Sequence, residues 1–137
     1  MKVLICGGRD WDKILASFKA LDDFHAVEPI THVIHGAAPG ADEIGVAWAK
    51  ARGITCDAFP ADWGNLSHPD AFVLTNRRGT KYDAKAGSRR NILMADQKPA
   101  VVLAFPGGKG TRNMINIAKG RGIRVVQLMD PASGLFE

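Results

Sequence analysis

Four turns in this sequence combine glycines with groups able to hold an anionic ligand. The first is Gly7-Gly8-Arg9-Asp10-Trp11, directly after an apolar run. Paired glycines let the backbone turn with positive φ and let a ligand approach closely. Arg9 can pair with a phosphate, and Asp10 or Asp12 can cap the helix that follows. The plain alternative is a tight turn with an N-cap. The second is Gly36-Ala37-Ala38-Pro39-Gly40-Ala41-Asp42. Small residues before a helix leave backbone N–H groups free, and the helix dipole favours an anion there. Asp42 is either the N-cap or an acceptor for ribose hydroxyls. The third and strongest is Phe105-Pro106-Gly107-Gly108-Lys109-Gly110-Thr111. Its three glycines supply conformational freedom and donors, and Thr111 can cap a helix or bind a phosphate oxygen. It lacks the Lys-Ser/Thr pair of the Walker loop and the spacing of the GxGxxG fingerprint.

The fourth turn, Ala86-Gly87-Ser88-Arg89-Arg90-Asn91, opens a helix. Arg90 and Asn91 are placed to hold a phosphate or a base edge, with Arg89 expected to face solvent. Upstream, Phe59-Pro60-Ala61-Asp62-Trp63 closes another apolar run. Trp63 is read as a base-stacking residue or as a packing residue, and Trp11 and Trp48 as packing residues.

These turns need elements to position them. Five apolar runs rich in Val and Ile, at 2–6, 32–35, 54–58, 100–105 and 123–128, barely alternate. That is the pattern of strands buried on both faces of a parallel sheet. Between them lie helical stripes. Ile14, Leu15, Phe18, Leu21 and Phe24 form the first, and Ile44, Ala47, Trp48 and Ala51 the second. Ile92, Leu93 and Met94 lie in the third, and Met114, Ile115 and Ala118 in the fourth. The alternation predicts one α/β domain over 1–137, a Rossmann-like three-layer sandwich with a mainly parallel five-stranded sheet in the order 3-2-1-4-5. Ligands of such sheets bind outside the carboxyl ends of the strands. Residues 65–85 break the alternation and read as a long loop insertion, with Phe72, Val73 and Leu74 suggesting a short strand or turn inside it.

Composition narrows the function classes. The chain has 137 residues and a hydrophobic fraction of 46%, ordinary for one globular core. No apolar run approaches the roughly 20 residues of a membrane span. The opening run stops at Gly7, too short for a signal-peptide core. Cys6 and Cys56 fall in strands expected to be buried and have no metal-ligand spacing, so they read as core residues in a reducing cytoplasm, with no metal or cofactor. The net charge is +4, and residues 77–90 hold Arg77, Arg78, Lys81, Lys85, Arg89 and Arg90 against Asp83. Such a segment serves nucleic acid, a small polyanion or simple solvation.

Taken in order, GGRDW, HGAAPGAD, FPADW, AGSRRNILM and AFPGGKGT resemble the SLOG superfamily, in its small YspA-like branch, over nearly the whole chain. Relatives in that superfamily include the Lonely Guy phosphoribohydrolases and the DNA-processing protein DprA. The resemblance implies a Rossmann-like fold that binds nucleotides, nucleotide-derived signals or single-stranded DNA. Arg90 and Met94 match the R-K-x-x-M segment of the phosphoribohydrolases, with Asn91 in place of the Lys. Pro106, Gly107, Gly108, Gly110 and Thr111 match their PGGxGTxxE turn, but their catalytic Glu is Met114 here. A thioether cannot act as a general acid or as a charge partner for a ribosyl cation. The passage over 65–85 is also longer than the YspA-like pattern, which suits a lid, a polyanion contact or a subunit contact.

Three functions compete. The first is binding, as sensing or sequestration, of a nucleotide or nucleotide-derived molecule. The second is hydrolysis of an N-glycosidic or phosphoester bond through Asp10, Asp42 or Asp62. The third is single-stranded nucleic-acid binding, disfavoured by few aromatics outside the core. The apolar helix stripes and the resemblance together predict a homodimer or larger homo-oligomer.

Overall fold

The central strands are continuous β-branched and leucine runs, and their alternate side chains supply two separate cores. A computed structural model describes residues 1–129. Its elements are β1 (Lys2–Cys6), α1 (Ile14–Val27), β2 (His32–His35), α2 (Ala41–Ala51), β3 (Thr55–Ala58), β4 (Val73–Thr75), β5 (Lys81–Asp83), α3 (Ala86–Asp96), β6 (Val101–Ala104), α4 (Lys109–Gly120) and β7 (Arg124–Gln127). Five strands form a parallel sheet in the order β3-β2-β1-β6-β7, with Val3 opposite both Val33 and Val101. The spatial arrangement is that of the five apolar runs. The numbering differs from 3-2-1-4-5 because two further strands, β4 and β5, lie between the third run and the fourth.

Val3, Ile5, Val33, Val101 and Leu103 point to one face, where Leu21 of α1 and Trp48 of α2 cover them. Leu4, Ile34, Val102 and Ala104 point to the other, under Met94 of α3 and Met114 and Ala118 of α4. Helices on both faces of a parallel sheet bury its central strands completely. Burial on both faces is confined to those central strands. β3 and β7 are edge strands with exposed or half-buried side chains, so Cys56 is only partly buried while Cys6 is buried.

The helical stripes need correction at their ends. Leu21 is buried and Phe18 and Phe24 pack on the core, but Ile14 and Leu15 are exposed. In α2 the buried face runs through Ile44, Gly45, Trp48 and Ala49, leaving Ala47 and Ala51 outside. In α3 only Met94 of its apolar triplet is buried. Three consecutive helical residues span more arc than one sheet face can cover. The 65–85 segment holds the strand expected near Phe72–Leu74 and a second one beside it: β4 and β5 pair antiparallel, Val73 opposite Asp83, as a separate two-stranded sheet. Among the described residues no helix is long and apolar enough to cross a membrane.

Candidate functional site

The carboxyl ends of β1, β2 and β6 are joined by their own backbone. The Gly8 N–H donates to Pro106 O (2.9 Å), and the Gly8 carbonyl accepts from the N–H groups of Ala41 (3.1 Å) and Trp11 (3.2 Å). One glycine therefore links the turns after all three strands. A Cβ on Gly40 would stand 2.5 Å from Arg9 O, so two of these turns meet backbone to backbone. Over the junction lies a cavity of about 840 Å³. Such a volume suits a small ligand of nucleotide size.

Gly7, Gly8, Arg9, Asp10, Gly36, Asp42 and Trp63 line this cavity from one side. Arg90, Asn91, Pro106, Gly107, Gly108, Gly110 and Thr111 line it from the other. Four candidate residues do not line it. Gly40 and Ala41 are absorbed into the junction below, where Ala41 N–H meets Gly8 O. Ala37 faces a smaller neighbouring cleft of about 300 Å³. Asp62 is exposed outside the cavity, since the chain turns between it and Trp63.

Local geometry revises several roles. Gly40, not Asp42, precedes α2, and Asp42 is the second residue of that helix. Its Oδ2 folds back to accept from the N–H groups of Gly36 (2.9 Å) and Ala38 (3.2 Å), holding the 36–42 turn in shape. Burial raises the Asp42 pKa, opposed by those two N–H donors and by Arg90 and Arg9. Neither Asp10 nor Asp12 caps α1, which Lys13 precedes without a side-chain bond. Thr111 is the third residue of α4, after the uncapped Gly108. Arg89 does not face solvent freely: it pairs with Asp70 and with fully buried Asp83.

Arg90 is the cation most deeply built into the cavity. A Cβ on Gly36 would fall 2.7 Å from the guanidinium carbon, so only glycine admits the side chain there. Its Nη1 donates to Gly36 O and Phe59 O (3.4 Å) and its Nε to Asn91 Oδ1 (3.0 Å). Among the described residues nothing accepts from Nη2, and the side chain borders the cavity. Burial lowers the Arg90 pKa, with Asp42 opposing, and an arginine stays charged all the same. Asn91 donates to Asn113 Oδ1 (2.9 Å) and Gly110 O (3.3 Å), tying α3 to the start of α4.

The first turn of α4, with no side-chain cap, opens on the same cavity beside Lys109, and the N-terminal turn of α3 enters at Gly87 and Ser88. Uncapped helix N-termini present free N–H donors and partial positive charge. The sequence reading missed Cys6, Lys109 and Asn113 as lining residues. Asn113 was findable, since it lies one helical turn beyond Lys109 and so shares its face. Cys6 ends β1 beneath the turn, and burial pushes its thiol up, so it is no nucleophile at neutral pH. Met114 also lines the cavity and is almost fully buried, bringing a thioether to the wall.

The profile of the family described as YspA, cpYpsA-related SLOG matches residues 1–65, which carry the first two turns and Trp63. Gene 61 protein of Mycobacterium phage D29 is 33% identical over 137 residues, covering 94% of this chain and 97% of that protein. Among solved structures, Acinetobacter baumannii MurG superposes with a TM-score of 0.54 at 11% identity. That likeness covers 92% of this chain but 34% of the MurG chain, and it concerns the fold alone.

Proposed function

The chain belongs to the YspA, cpYpsA-related SLOG family, and from that premise we propose that it binds a nucleotide or nucleotide-derived anion in the crevice at the carboxyl edge of its sheet. One observation carries the reading: the uncapped first turn of α4 opens on the same cavity as Arg9, Arg90 and Lys109. Phosphate oxygens fit this set of backbone donors and guanidinium groups. Of the two carboxylates on the cavity wall, Asp42 is engaged with its own turn, and Asp10 is exposed.

The protein acts by binding rather than by cleaving. Met114 supplies no acid or base beside the ligand, and Asp62 lies outside the cavity. Calorimetry with nucleoside mono- and diphosphates tests the reading, together with chromatography of AMP, GMP and CMP after long incubation. Binding without release of base is expected. Turnover at enzymatic rates that disappears in Asp42→Asn would overturn it in favour of hydrolysis. Ile92 and Leu93, 40% and 54% exposed on α3, give self-association an apolar face. Light scattering is expected to report a dimer or larger assembly, and a monomer at micromolar concentration would count against it.

A further inference from the structure

The geometry points to Trp63 as a platform on which a nucleobase stacks, which makes the ligand a nucleoside phosphate rather than a bare phosphate or sugar phosphate. This inference rests on the anion-binding reading of the same crevice. Trp63 lines the cavity together with the first turn of α4, so one ligand can reach both. The other two tryptophans are less available. Trp48 is fully buried, and Trp11, which also borders the cavity, has its N–H on Ser17 Oγ (2.8 Å) and a ring face stacked on Phe105.

Trp63 is held by its edge and by its backbone. The Tyr82 ring meets it edge-on at 6.3 Å and 69°, and a Cβ on Gly87 would stand 2.8 Å from its indole Cη2. The Trp63 carbonyl accepts from Asp83 N–H at 2.8 Å. Asp83 in turn accepts from Phe72 N–H and Lys85 N–H (both 3.0 Å) and pairs with Arg89. The β4–β5 hairpin is therefore a buttress for the indole. A fixed aromatic surface loses little entropy on stacking a ring.

Over the indole lies the Arg9 guanidinium, its carbon 5.7 Å from the ring centroid. Among the described residues no carboxylate or carbonyl accepts from Arg9, and its side chain is exposed. An exposed cation–π contact is weak and exchangeable. A flat base can replace the guanidinium on the indole, and the released Arg9 can follow the phosphate.

The test is calorimetry of AMP, ribose 5-phosphate and pyrophosphate with the native protein, Trp63→Ala and Trp63→Phe, together with tryptophan emission. The native protein is expected to bind AMP about tenfold or more tighter than ribose 5-phosphate. Trp63→Ala removes that margin and leaves ribose 5-phosphate affinity unchanged. AMP quenches native emission, and Trp63→Phe removes most of the quench, leaving what Trp11 at the cavity wall contributes. Equal native affinity for AMP and ribose 5-phosphate overturns the platform and leaves the anion site standing. So does equal weakening of both ligands in Trp63→Ala. If none of the three ligands binds the native protein, the anion-binding reading fails and the platform with it. Should Trp63→Ala not fold, the emission of Trp63→Phe decides: a quench as large as the native one overturns the proposal.

Discussion

Gly40 and Gly79 have nearly the same backbone angle, φ of +78° and +80°, in opposite surroundings. Gly40 lies at the junction of the turns, where an added Cβ would collide with the backbone of Gly8 and Arg9. Gly79 lies at the tip of the β4–β5 hairpin, where an added Cβ meets nothing within 4 Å. The tip is closed by Asn76, whose side chain accepts from the N–H groups of Arg78 (2.9 Å) and Thr80 (3.0 Å). The same dihedral thus serves a long-range joint in one place and a local turn in the other. The crevice is over-determined by contacts far apart in sequence, and the hairpin tip by its own residues.

Alanine at the two glycines breaks the comparison most sharply. Gly40→Ala combines left-handed strain with a backbone collision and is expected to destabilise by about 3 kcal/mol or more. Gly79→Ala carries the strain alone, about 1 kcal/mol. Urea denaturation of both variants checks this, and equal losses would refute it. Next comes Asp42. Asp42→Ala strands two N–H groups and should cost roughly 2–3 kcal/mol by the same measurement. Asp42→Asn keeps an acceptor and removes the charge that burial disfavours, so its cost should stay under about 1 kcal/mol. A large loss in Asp42→Asn would mean that the charge itself is required.

The cations sharpen the contrast further. Arg90→Ala is expected to weaken nucleotide binding by roughly 1.5–3 kcal/mol, because a partly buried charge-assisted bond is lost. Arg77 and Arg78 sit on the exposed tip, and their double replacement by Ala should change nucleotide affinity by less than about 0.5 kcal/mol. Were single-stranded nucleic acid the partner, the order would reverse, and the tip variant would flatten the salt dependence of oligonucleotide binding. A salt titration with both variants separates the two cases.

The smallest effect concerns how the hairpin is pinned. Desolvation works to raise the Asp83 pKa, but the N–H groups of Lys85 and Phe72 and the Arg89 guanidinium outweigh it and hold the carboxyl low. A depressed carboxyl stabilises above its unfolded value of about 3.9 and loses that contribution as pH falls through its lower folded value. Exchange of the Phe72 and Lys85 amides should therefore accelerate below about pH 3.9, ahead of the amides of β1 and β6. Simultaneous loss of protection in both regions would show that the hairpin has no independent opening.

The five strands of the parallel sheet, the four helices and the crevice-forming turns were legible because each depends on local pattern. β-branched runs, 3.6-residue stripes and glycine clusters are short-range signals, and parallel topology follows from their alternation. Helix caps were misread by one to three residues at Asp42, Asp10, Asp12 and Thr111, and at Asp42 the reason is that its side chain bonds its own turn instead of the helix. A short strand or turn was expected at Phe72, Val73 and Leu74, where β4 lies, but β5 and its pairing escaped because strands of three residues are too short for period-two alternation to stand out.

What the amino-acid sequence by itself determined is the strands and helices of the main sheet, their parallel order and the turns that carry glycine. Only the tertiary structure decided what each charged group meets. Arg90 enters the cavity because Gly36, 54 positions earlier, has no Cβ, while Arg89 beside it is drawn to buried Asp83. Adjacent residues on a helix diverge by about 100°, so neighbours of identical chemistry face different partners. Those partners come from distant segments, and no local pattern records which of them will arrive.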